Sequence, residues 1–192
     1  RSADAADSTA VRSARGASGV TDRAPRRVLL IGYGNPGRLD DGLGPALADL
    51  VAAQGLSGVT VEVDYQLAVE DAADIAEHDT VVFADATVSG PEPFSFDRVR
   101  PADRAELGFT SHSLEPRTLM ALARDLFAAR ADGYVLGIRG YAFDDFGEHL
   151  SERAGNNLAA ASLFVTTALR EGSLDAAADR TRAPREAAPS EG

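Results

Sequence analysis

Two short runs made only of apolar residues, Val-Leu-Leu-Ile at 28–31 and Val-Val-Phe-Ala at 81–84, constrain this chain more than any other feature. A strand with no polar face belongs in a sheet covered on both sides. The first run is closed by Gly32 and the second by Asp85. Helical signals fall between strand signals along the rest of the middle. Residues 43–53 carry apolar side chains at helical spacing, 59–63 alternate, and 69–76 have a helical pattern. Residues 94–99 alternate as an edge strand does, and 116–129 form an amphipathic helix with Leu119, Leu122, Leu126 and Phe127 on one side. A strand over 134–138 and a long helix over 150–169 close the series. This β-α-β-α-β order implies an α/β fold, a three-layer α-β-α sandwich around a mostly parallel, twisted sheet of about five strands.

The flanks differ in kind. Residues 1–25 are rich in Ala, Ser, Asp and Arg without apolar period, and 173–192 are similar, with Pro184 and Pro189. Neither buries enough surface to offset the entropy of ordering it, so both are expected to be disordered tails around a single domain at 26–172. The head has four arginines against three aspartates and the tail three arginines against four acids, so the net charge of −11 falls on the middle. That charge argues against nucleic acid or an anionic membrane as partner. With no apolar run of membrane length and no signal-peptide core, a cytoplasmic protein is expected.

Chemistry has a short list to draw on. Cysteine is absent and all 19 basic residues are arginine, which excludes disulfides, thiolate sites and Schiff bases. Carboxylates, hydroxyls and 3 histidines remain. Gly32-Tyr33-Gly34-Asn35-Pro36-Gly37 formally fits the dinucleotide fingerprint, and Glu62 or Asp64 lies near where a ribose-binding acid belongs. In such sites, however, the helix begins inside the glycine motif so that its amides hold pyrophosphate. Here Pro36 interrupts, and Asp40-Asp41-Gly42 puts two carboxylates at the positive helix end, where they repel an anion. Helix capping accounts for one of them. The glycines let the chain turn sharply and bring the other into a cleft.

In open parallel sheets ligands bind beyond the carboxyl ends of the strands. Asp85 ends the second apolar strand, and Asp41 follows the first through its loop, so both emerge at that rim. His112, before the amphipathic helix, takes a third rim position. Two carboxylates and an imidazole suit a borderline divalent ion with positions left open. Each also has an ordinary alternative, as a turn residue for Asp85 and a helix-entry hydrogen bond for His112. His78 and His149 lack ligand spacing and are expected to be surface or structural. Neither H-E-x-x-H nor G-x-S-x-G occurs.

The stretch from Gly32-Tyr33-Gly34-Asn35-Pro36 to Asp40-Asp41-Gly42-Leu43-Gly44, followed in order by Phe83-Ala84-Asp85-Ala86 and Ser111-His112, resembles the three motifs of the hydrogenase maturation proteases. These endopeptidases trim the C-terminal extension of a nickel-iron hydrogenase large subunit. The resemblance spans about residues 28–169. It implies an aspartyl-type hydrolase acting on that precursor, with no nucleic-acid or membrane partner. It also implies Asp41, Asp85 and His112 as both the catalytic and the metal-contacting residues. The metal is then nickel carried by the substrate and recognised as proof that its site is filled, not a permanent cofactor, and zinc or cadmium can substitute in vitro. Asp41 stands where many members have glutamate. Asp64-Tyr65-Gln66-Leu67 replaces a glycine-rich turn, which resembles a branch serving other hydrogenase groups. Asn35, Tyr65 and Gln66 are the candidate substrate contacts.

Several alternatives stay open. Metal-bound water, or Asp41 or Asp85 as general base, would serve equally for attack. Asn35 fits an oxyanion donor and a turn residue alike. A nucleotide-binding enzyme using residues 32–37, and a checkpoint that binds the precursor without cutting it, are the competing functions.

Overall fold

A computed structural model of the chain describes residues 26–103 and 114–181. The first apolar run becomes β1 (Val28–Tyr33), and the chain then passes through a 3-10 turn (Leu39–Gly42) into α1 (Leu43–Ala52). Next come β2 (Val59–Asp64), α2 (Asp71–Ala76), β3 (Thr80–Thr87) and β4 (Phe94–Val99). The remainder is α3 (Pro116–Phe127), β5 (Asp132–Arg139), α4 (Glu152–Glu171) and α5 (Leu174–Thr181). The strands lie in the order β2-β1-β3-β5-β4, all parallel except β4, which runs antiparallel to β5 at the edge.

Alternate side chains of the buried strands feed two cores. Leu30, Val82 and Leu136 pack with α1, α4 and α5, whereas Leu29, Ile31, Val81 and Phe83 pack with α2 and α3. Each such burial is worth roughly 1.5–3 kcal/mol, which is why the apolar runs dictate the layering. The long helices stop and start where local chemistry directs. Pro116 opens α3 at a position that needs no amide donor. Ser151 caps α4 through Oγ, and Gly172 ends it in the left-handed conformation. Among the described residues no helix is long and apolar enough to cross a membrane.

The structure departs from the sequence expectation in three places. The domain does not stop at residue 172, because α5 buries Leu174, Ala177 and Ala178 against the sheet. Its Asp175 accepts hydrogen bonds from Tyr134 and Arg98, and Thr181 Oγ1 donates to the Phe96 carbonyl at 2.7 Å. The expected tails at 1–25 and 182–192 lie outside the described residues. Secondly, Leu126 and Phe127 are 61% and 50% exposed, since α3 ends there and carries them off the sheet. Thirdly, β3 runs beyond its apolar segment to Thr87, so Asp85 lies within the strand, opposite Gly137 of β5.

Candidate active site

From β1 the chain returns through α1 to β2 on one side, and β3 then pairs on the other side of β1. The carboxyl ends of β1 and β3 therefore flank the switch point, where open α/β sheets place their ligand crevice. Close packing fixes what stands there. A Cβ on Gly44 would meet the Tyr33 and Ala84 carbonyl oxygens at 2.3 and 2.5 Å, so only glycine lets α1 begin directly on these two strands. Gly34 has φ of +136°, and a Cβ there would lie 2.1 Å from the Asp41 carbonyl oxygen. Residues 34–42 thus fold back tightly and present Asp41 at the switch point.

The adjacent acids of this loop diverge. Asp41 Oδ2 accepts the Asn35 amide at 3.0 Å, leaving its other oxygen beside the rim. Asp40 is fully buried and faces the segment after β5. It accepts from the amides of Tyr141, Ala142 and Ser151 at 2.8, 2.9 and 2.7 Å, and from the Ser151 hydroxyl at 2.7 Å. Burial pushes the Asp40 carboxyl up, but these bonds outweigh it and hold its pKa below the ordinary value. The capping role foreseen for one of the pair is not found. No side chain caps the 3-10 turn or α1, and Asp40 clasps a distant segment instead.

Asp85 faces the α2/α3 side of the sheet, half-buried. Burial pushes its carboxyl up to about 6. The Ala86 amide, donating at 2.7 Å, and the Tyr33 hydroxyl oppose that rise, while the charge of Asp41 adds to it. Tyr33 is likewise raised well above a free phenol, by burial first and then by Asp85. Tyr33 is the residue that sequence reasoning missed. Its signal lay in the parallel register, for the β1–β3 pairing ends at Gly32 with Ala84, and Tyr33 and Asp85 are the next residues along their strands. An open cleft of about 1050 Å³ runs from Tyr33 and Glu115 past Val135 to Arg98 and Arg100.

The structure brings Asp41 and Asp85 together. His112, the third expected member, lies outside the described residues. Among the described residues no three metal-ligating side chains converge. Tyr65, 72% exposed, and the exposed Gln66 follow β2 at the same rim. His78 is away from it, with Nδ1 on the Asp74 carbonyl oxygen at 2.7 Å and Nε2 on Thr60 Oγ1 at 2.9 Å.

The loop has no amide to offer a phosphate. Gly34 N donates to the Asp64 carbonyl, Asn35 N to Asp41 and Gly37 N to Asn35 Oδ1 at 2.9 Å. Arg38, Leu39, Asp40 and Asp41 donate to the carbonyls of Asn35, Gly147, Ala142 and Arg38. Pro36 has none. Nucleotide binding at residues 32–37, which needs those donors free, is therefore not supported.

No protein-family model and no curated protein matches this sequence. Solved structures do match. The [NiFe] hydrogenase maturation protease HycI from Thermococcus kodakarensis KOD1 superposes with a TM-score of 0.60 at 21% identity, over 76% of this chain and 93% of its own. The hydrogenase 2 maturation peptidase from Thaumarchaeota archaeon SCGC_AB-539-E09 gives 0.57 at 24% identity, over 76% and 99%. The hydrogenase maturating endopeptidase HybD from E. coli gives 0.52 at 21%, over 76% and 93%. The chain has the fold of the hydrogenase maturation proteases. On that maturation-protease fold, the glycine loop with Asp41 and the strand with Asp85 are neighbours at the switch point.

Proposed function

We propose that this chain is an endopeptidase that removes the C-terminal extension of a nickel-iron hydrogenase large-subunit precursor after nickel insertion. The observation that carries this reading is the convergence of Asp41 and Asp85 at the switch point of a fold shared with such proteases. The nickel belongs to the substrate, and Asp41, Asp85 and His112 contact it there. Two carboxylates and an imidazole supply only part of a coordination shell, so they bind free ions weakly and leave room for the substrate's own ligands. A carboxyl near 6, as at Asp85, also suits a base that takes a proton from water near neutral pH. Asn35 is fixed through Oδ1 by the Gly37 amide, which leaves its side-chain NH2 to donate to the developing oxyanion. A cytoplasmic location goes with this reading.

The test is incubation of the full chain with nickel-loaded and nickel-free precursor, read by mass. The loaded precursor loses a short C-terminal peptide and the nickel-free one stays intact. Asp41→Asn abolishes cutting without unfolding the domain. Calorimetry with nickel, zinc or cadmium finds roughly one ion per chain. His112→Ala weakens that binding, and His78→Ala and His149→Ala do not. Equal cutting of both precursors overturns recognition through nickel, and binding without cutting of either favours the checkpoint alternative.

A further inference from the structure

Two exposed aromatic side chains stand on either side of the loop that carries Asp41. Tyr65, 72% exposed, follows Asp64, whose carbonyl accepts the Gly34 amide at 3.1 Å. Phe146 is 87% exposed, and the next residue, Gly147, bridges Arg38 and bonds to the Gly37 carbonyl and the Leu39 amide at 2.9 Å each. The loop is thus held by the Tyr65 strand at its start and by the Phe146 segment at its turn. Val69 after β2 and Val88 after β3, 49% and 67% exposed, add apolar surface along the same rim. Apolar groups gathered along one rim mark an interaction surface more often than a lone exposed residue does.

Charge selects the occupant. Asp144, Asp145 and Glu148 flank Phe146, are exposed, and form no ion pair among the described residues. The arginines of this rim are engaged within the chain. Arg38 donates to the Phe143 carbonyl at 3.2 Å and Arg139 to the Gly90 carbonyl at 3.0 Å. Arg153 pairs with Glu92 at 2.6 Å and stacks over the Tyr141 ring at 4.0 Å. Arg38 and Arg139 meet neutral carbonyls and keep their charge, yet Asp144, Asp145 and Glu148 outnumber Arg38, the arginine bonded to their segment, so the balance of charge beside Phe146 is negative.

We propose that this rim docks a basic patch of a folded protein, with Tyr65 and Phe146 as anchors on the two sides of Asp41. Resting on the function proposed above, that protein is the precursor itself. Docking then precedes and does not require nickel, because neither anchor belongs to the metal-contacting set. Buried aromatic anchors dominate such interfaces, and the acids accelerate encounter and choose the partner's charge.

The experiment measures binding of both precursors to the full chain by interferometry, together with KM and kcat on the loaded one. Tyr65→Ser and Phe146→Ser each weaken binding of both precursors by about tenfold and raise KM, with kcat retained. Asp144→Asn combined with Asp145→Asn slows association and flattens its salt dependence. Leu163→Ser, on the outer face of α4, changes nothing. If the wild-type chain cuts the loaded precursor and both aromatic variants keep its KM and affinity, the docking surface is wrong and the protease reading stands. If it binds both precursors through the two aromatics and cuts neither, docking stands and the protease reading fails. A wild-type chain that neither binds nor cuts overturns both.

Discussion

Asp40 and Asp41 are neighbours in sequence with separate duties, and substitution should separate them. Asp40→Asn turns an NH2 toward groups that are themselves donors, leaving buried amides unsatisfied. It should cost about 3 kcal/mol by urea denaturation. Asp41→Asn keeps an acceptor for the Asn35 amide and should cost less than about 1 kcal/mol. Stability should also depend on pH in a definite direction. Asp85 is raised to about 6, and Glu62 and Asp71 are raised as well, mainly by burial. Their charges therefore oppose folding at neutral pH. As pH falls through about 6 Asp85 protonates in the folded chain before the unfolded one, and Glu62 and Asp71 likewise take up protons earlier when folded, so stability rises as the pH drops below neutrality. Asp40 acts oppositely. Its contribution is present above the ordinary carboxylate pKa and is lost only as pH falls through its lower folded value. Urea midpoints from about pH 4 to about pH 8 check this, and Asp85→Asn should flatten the rise below neutrality. The sequence placed an acid of this pair at the rim, but the partners of Asp40 lie more than 100 positions away, beyond any local pattern.

At the scale of elements, α5 sets the extent of the domain. A chain ending at residue 172 should melt about 5 °C or more below one ending at 181, because it loses a buried helix and the partner of the Tyr134 hydroxyl. It also uncovers the edge strand β4, where Thr181 now holds the Phe96 carbonyl. The sequence hid this helix because Leu174, Ala177 and Ala178 make a face of small residues among Asp175, Asp179 and Arg180. That face is buried because the wall it meets is already built, with Phe96 and Tyr134 stacked at 5.3 Å. The amphipathic stripe of α3 shows the converse error. Helical periodicity aligned Leu126 and Phe127 with Leu119 but carries no information on where the sheet beneath them stops. The apolar strands were legible because a side chain with no polar neighbour on either face has one kind of place to go.

For the molecule as a whole, the alternation of signals gave the layers, while the strand order needed the structure. β4 leaves β3 for the sheet edge, and β5 fills the slot between them only after α3. The Asp40 clasp adds a link of the same long range, tying the loop after β1 to the chain entering α4. Its consequence is kinetic. The amides of Leu39, Asp40, Tyr141, Ala142 and Ser151 are each bonded across this junction, so none is released to solvent without disturbing the others. In native-state deuterium exchange they should open as one cooperative unit with a common free energy, below that of the sheet interior. Asp40→Asn should bring all five to faster exchange together while Leu30 and Val82 remain slow.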